Sequence, residues 1–198
     1  MKFVPRSEST RQFIIEATAK LFNKKGFAGT SLSDLEKATS LTKGSIYGNF
    51  ENKEQVALAV FDYNIANLHE KLLGGLEGCT GVKEKLMAYL SSYAGFEAEA
   101  GGCPMQNTGV EADDTHEPLR QRAAESMLAW IRDITDLIAE GIESGEFKPG
   151  TNAHKTALTF FALIEGGILL GRTTKDSAHF KTVLDSAAEY IEGIYRHS

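Results

Sequence analysis

Thr42, Lys43, Gly44, Ser45 and Asn49 bring two hydroxyls, an ammonium, a carboxamide and a stretch of bare backbone into one short span of the chain. All of these groups donate hydrogen bonds. Donors gathered without a nucleophile or a paired acid suit the binding of an anion or of base edges rather than bond cleavage. In the run LTKGSIYGNFENKE, Leu41 to Glu54, Thr42 is placed to cap a short helix whose inner side carries Ile46 and Phe50, four apart. Thr42, Lys43, Ser45 and Asn49 then share the outer face, and the N-terminal end adds the positive pole of the helix dipole. Gly44 costs such a helix about 1 kcal/mol relative to alanine, a loss tolerated where the backbone must come close to something bulky.

A helix of about two turns is marginal alone, so its neighbours must hold it. Upstream, Ile14, Ala17, Thr18, Leu21 and Phe22 form one face of a first helix, which Lys24, Lys25 and Gly26 close. Ser31 caps a second helix that ends by Ser40 and directs Leu32, Leu35 and Ala38 inward. Asn52 and Gln55 open a fourth helix with the stripe Val56, Ala59, Val60, Tyr63. Gly74, Gly75, Gly78 and Gly81 mark a joint. Beyond it the spacing predicts a helix over about 82–99, an irregular GGCPMQNTG segment leading into a short helix, and a long helix over 117–145 with the stripe Met127, Trp130, Ile131, Ile134, Leu137, Ile138. Two more follow near 152–173 and 177–196. Strand alternation is nearly absent, which predicts an all-α fold: an N-terminal helix-turn-helix head and a larger helical bundle.

Charge divides along the same line. Residues 1–55 hold nine basic and six acidic residues, a net of +3, whereas residues 56–198 carry a net of −9. A polyanion meets the local field of the head, not the whole-chain balance of −6. Only Cys79 and Cys103 are present and the five histidines are scattered, so neither a disulfide scaffold nor a structural zinc site is expected. MKFVPR is followed by no apolar run of a secretory signal, which predicts a cytoplasmic protein. The apolar stretch Ala157 to Gly171 is shorter than the roughly 20 residues a bilayer needs and includes Glu165, so it reads as a buried helix and no membrane partner is expected. No catalytic constellation stands out, so an enzyme is not expected, nor is a cofactor or metal.

Helix, short turn and exposed second helix is the geometry that places a helix tip in the major groove of DNA. A small bundle whose polar residues simply face water has the same pattern, and the charge split favours the nucleic-acid reading. FIIEATAKLFNKKGFAGTSLSDLEKATSLTKGSIYGNFENKEQV, residues 13 to 56, resembles the DNA-binding region of the TetR family of bacterial transcriptional regulators. The likeness runs through the spacing of helix one, the GF after it, the T-S opening of helix two, the K-G-S-I-Y core of helix three with its closing Phe, and the N-K-E of helix four. Two positions depart: Ser40 stands where the family usually has glycine, and Gly48 where it often has a larger side chain.

The resemblance implies a DNA-binding domain over residues 1–54, with helix four from about 52 connecting it to an effector-binding and dimerisation domain over 55–198. Thr42, Lys43, Gly44 and Ser45, with Asn49 on the same face, would meet bases or adjoining backbone of a double-stranded operator. Tyr47 and Lys53 would hold phosphates, with Ser31 as a further contact. The implied function is a ligand-responsive regulator, a repressor bound as a homodimer to an inverted-repeat operator and released by a small-molecule effector. A helical ligand-carrying or protein-interaction module is the alternative. Phe160, Phe161, Leu163, Ile164, Ile168 and Leu169 offer a dimer surface or a monomer core, and Gly166, Gly167 and Gly171 would let helices approach. GGCPMQNTGVE resembles a segment that lies beside the ligand cavity in some branches, with Cys103 either a sensor thiol or a small buried residue. Tyr93, Phe96, Cys103, Met105, Asn107, Trp130 and Phe161 are the candidate pocket walls, each also explicable as core. EADDTHE reads as a solvated acidic loop that caps the following helix.

Overall fold

Ser31, Thr42 and Asn52 decide where the N-terminal helices begin. In the computed structural model, which describes residues 6–93 and 101–196, each side-chain oxygen accepts a backbone N–H three residues on: Asp34 to Ser31 Oγ at 3.1 Å, Ser45 to Thr42 Oγ1 at 3.3 Å and Gln55 to Asn52 Oδ1 at 2.9 Å. The helices they start are α2 (Leu32–Thr39), α3 (Lys43–Tyr47) and α4 (Lys53–Gly74), after α1 (Arg6–Lys25). The rest are α5 (Val82–Tyr93), α6 (Pro104–Ala112), α7 (Glu117–Glu143), α8 (Ala153–Thr174) and α9 (Ser177–Ile194). Among the described residues no strand forms; Phe147 and Tyr195 make one isolated bridge. The all-α expectation holds.

Contacts gather the chain into two units. One holds the chain through Leu68 together with Pro104–Ala124, so α6 and the start of α7 travel with the first three helices and most of α4. Its core joins Ile14, Phe22, Leu35, Ile46, Phe50 and Val60, all buried, to Ala112 and Leu119. The inward side of α2 differs from the sequence reading. Leu35 is buried, but Ala38 is exposed and Thr39 takes the inward place, its hydroxyl donating to Leu35 O at 2.8 Å. Leu32 packs against the core with Leu35 as expected, and the next inward place lies four residues on from Leu35, at Thr39. Ser40 ends α2 with φ 56°, ψ 23°, the left-handed conformation expected from a turn position that favours glycine.

The second unit holds His69–Cys103 and Glu125–Ser198. Glu146 caps α5, accepting the N–H groups of Val82 and Lys83, each at 2.8 Å. Phe160, Ile164 and Ile168 bury one side of α8, and α8 packs along α9. A Cβ on Gly171 would lie 2.8 Å from Phe180 Cβ and one on Gly167 3.2 Å from Val183 Cβ, so these two glycines set the approach. A Cβ on Gly166, a residue expected with them, would meet nothing within 4 Å among the described residues, so Gly166 takes no part in the approach of α8 to α9. By length and composition α8 would pass as a membrane span, yet it contains the buried Glu165 and packs as a core helix.

Candidate nucleic-acid interface

Ile46 at 0% and Phe50 at 3% exposure anchor α3, and that anchoring turns Thr42, Lys43 and Gly44 outward, all three exposed. Ser45, Tyr47 and Asn49 are half-buried. A Cβ on Gly44 would find only Thr42 Oγ1, at 4.0 Å. Among the described residues nothing therefore requires glycine there, and the bare backbone faces outward. Gly48 is different: a Cβ would lie 3.1 Å from Gly44 O, so the close of α3 itself leaves little room.

Several of the expected donors are already engaged. Lys53 donates to Phe27 O at 2.8 Å and Thr30 O at 3.0 Å and lies 4.2 Å over the Phe27 ring, which commits two of its three N–H groups to the turn between α1 and α2. Ser31 donates its hydroxyl to Asp34 Oδ2 at 2.8 Å. Asn49 turns its amide back to Ser45 O at 2.9 Å, and Tyr47 packs partly against the core. Lys43 offers an exposed ammonium.

Two residues at the tip have no counterpart in the sequence reading. Arg11, from α1, donates to Asn49 O at 2.9 Å and stacks 4.0 Å over Phe50, holding the C-terminal end of α3. Glu36, from α2, accepts the Lys43 backbone N–H at 2.8 Å. The positive end of α3, expected to attract an outside anion, already meets a carboxylate of the chain.

The turn after α1 is braced from α6. Glu111 accepts the N–H groups of Phe27 and Ala28, each at 2.8 Å, and its carboxylate occupies the space a Gly26 Cβ would take. Gly26 also sits at φ +74°, so backbone and space both demand glycine. Asn107, expected as a pocket wall, donates to Asn23 O at 3.0 Å in the same brace. His116 starts α7, with Nδ1 accepting from Leu119 N–H and Nε2 3.1 Å from Glu54. This cap is a histidine, while the acids beside it, Asp113 and Asp114, are exposed. A cavity of about 30 Å³ beside Asn23, Asn64, Asn107 and Glu111 has room for about one water. Asp34 pairs with Lys25 at 2.9 Å, a bond that holds its carboxyl well below the usual range.

The other candidate pocket walls divide between the units. Tyr93, Cys103 and Trp130 are buried in the second unit, and Phe161 lies against Trp130 with ring centroids 5.0 Å apart. Met105, also buried, belongs with Asn107 to the first; Phe96 lies outside the described residues. Glu165 joins Tyr93 and Cys103: burial pushes its carboxyl up to about 7, while a hydrogen bond with Cys103 opposes the rise. Burial likewise raises the Tyr93 phenol well above its ordinary value. A lone acid inside an apolar run was the signal available in the sequence. Neither Cys79 nor Cys103 is in a disulfide, and among the described residues no group of three His, Cys, Asp or Glu could hold a metal ion.

A docked short helix with its tip outward, after a capped helix and a left-handed turn and ahead of a larger bundle, defines a helix-turn-helix transcriptional regulator. Residues 14–60 match the family described as "Bacterial regulatory proteins, tetR family" and residues 82–187 match "Tetracyclin repressor-like, C-terminal domain". The chain belongs to the TetR family of transcriptional regulators, proteins that are not enzymes. A TetR-family regulator from Cytophaga hutchinsonii is 48% identical over 100% of both chains, with a TM-score of 0.94. One from Chloroflexus aurantiacus is 35% identical, covering 98% of this chain and 99% of that one, with a TM-score of 0.91. The regulator LmrA of Bacillus subtilis is 28% identical over 172 residues, 85% of this chain and 89% of its own.

Proposed function

We propose that the chain is a ligand-responsive repressor that binds an inverted-repeat operator as a homodimer and is released by a small-molecule effector. Residues 1–54 serve as the DNA-binding domain, helix four connects, and residues 55–198 bind effector and partner subunit. The observation that carries this reading is the α3 tip: Gly44 has open space where a side chain would stand, beside the exposed Lys43. Thr42, Lys43, Gly44, Ser45 and Asn49 meet bases or adjoining backbone, and Tyr47, Lys53 and Ser31 the phosphates, Lys53 through its remaining N–H. Leu158, Leu169 and Leu170, 43–54% exposed on α8, supply apolar surface for the second subunit. Two-fold symmetry calls for two half-sites. A repressor of this kind works in the cytoplasm, where the operator is.

Tyr93, Cys103, Trp130 and Phe161, all of the second unit, remain the proposed effector contacts. An effector that prefers a head spacing mismatched to the operator weakens DNA binding by the same coupling free energy. A gel shift on the DNA flanking the gene tests the reading: wild type retards the duplex, and Lys43→Ala and Tyr47→Phe both weaken the shift. No retardation at low salt contradicts it.

A further inference from the structure

The tip of α3 carries a negative charge where a DNA reader would gain from a positive one. Glu36 Oε1 accepts the Lys43 N–H at 2.8 Å, so its carboxylate sits against the first residue of the short helix, beside exposed Thr42, Lys43 and Gly44. Thr42 Oγ1 takes the Ser45 N–H as well, so this tip has two of its free donors satisfied from within. Its own packing does not need Glu36 as a charge: a neutral amide oxygen at the same place would accept the same N–H. Glu36 is only half-buried, and whatever surface the tip meets, the carboxylate meets too.

Against a duplex that charge has two effects of opposite sign. Phosphates repel it, so every sequence is bound less tightly. A base edge can reward it, because a carboxylate accepts a hydrogen bond from an exocyclic amino group, cytosine N4 being the standard partner in the major groove. We propose that Glu36 is a specificity-determining residue of DNA reading: it penalises non-matching duplex and regains the loss only where a cytosine amino group faces it. The inference rests on the reading of α3 as the DNA-contacting helix. Lys43 and Glu36 then divide the work, the ammonium attracting any duplex and the carboxylate discriminating among them.

Full-length wild type, Glu36→Gln and Glu16→Gln are compared by fluorescence anisotropy on two probes, a random-sequence duplex and a duplex selected by the wild type from a random pool. Glu16, exposed on α1 and bonded to Gln12, is a charge control away from the tip. Glutamine at 36 preserves the acceptor for Lys43, and matched melting curves verify the fold. Glu36→Gln is expected to bind the random duplex roughly three- to tenfold tighter while gaining less on the selected one. Selection repeated with Glu36→Gln should lose a C·G preference at one position of each half-site, and Glu16→Gln should change neither probe. Equal factors on both probes, no change on either, or the same narrowing from Glu16→Gln overturns the assignment. If the wild type binds no duplex at all, both this assignment and the reading beneath it fall.

Discussion

Gly44 separates stability from function at a single position. Its hypothetical Cβ meets nothing closer than Thr42 Oγ1 at 4.0 Å, so Gly44→Ala should fit and strengthen α3 by up to about 1 kcal/mol. The same methyl stands where the duplex backbone would approach. The variant is therefore expected to melt no lower than wild type yet bind duplex at least several-fold more weakly; unchanged binding would remove the argument for close approach. Glu165 makes a second residue-scale prediction. Its folded pKa of about 7 stands above the 4.5 ordinary for a glutamate, so the neutral form's stability is fully present below about 4.5 and is lost as pH rises through 7. The loss amounts to about 3 kcal/mol, taking 1.36 kcal/mol per unit. Denaturation followed between pH 5 and pH 8 should show the wild type weakening more than Glu165→Gln; parallel profiles would mean the carboxyl is not buried as described.

Elements were legible where a cap announced them. Ser31, Thr42 and Asn52 each precede their helix by the spacing a backbone N–H needs, and a side-chain oxygen accepts from that N–H in every case. What could not be read were groups brought together across long stretches of chain. Glu111 lies 84 residues from Phe27 and 83 from Ala28, and nothing local to either marks the pairing. Arg11 on Asn49 O is similar, 38 residues apart. The donors on α3 were legible as types, but that Lys53 and Ser31 spend bonds on the turn and on Asp34 was not, because packing decides it. Glu111→Ala leaves two N–H groups of the turn without their acceptor and should cost about 1–3 kcal/mol. Hydrogen exchange at Phe27 and Ala28 should rise while exchange at the buried Ile138 of the second unit holds; no change at the turn would show that the carboxylate does not brace it.

Along the whole sequence the charge divides, residues 1–55 carrying a net of +3 and residues 56–198 a net of −9. The proposed second copy belongs at this scale. Exposed Leu169 and Leu158 on α8 make it testable: Leu169→Asp with Leu158→Asp should halve the mass seen by light scattering and weaken binding to an inverted repeat far more than to one half-site. A wild type that is itself monomeric would contradict the dimer. Binding affinity for duplex DNA as a function of salt tests the central claim most directly. The tip of α3 on both subunits should neutralise several phosphates, so log K should fall against log salt with a slope of roughly −5 or steeper, and Lys43→Ala should make it shallower. A wild-type slope near zero, or one that Lys43→Ala leaves unchanged, would contradict the reading of α3 as the part of this chain that meets DNA.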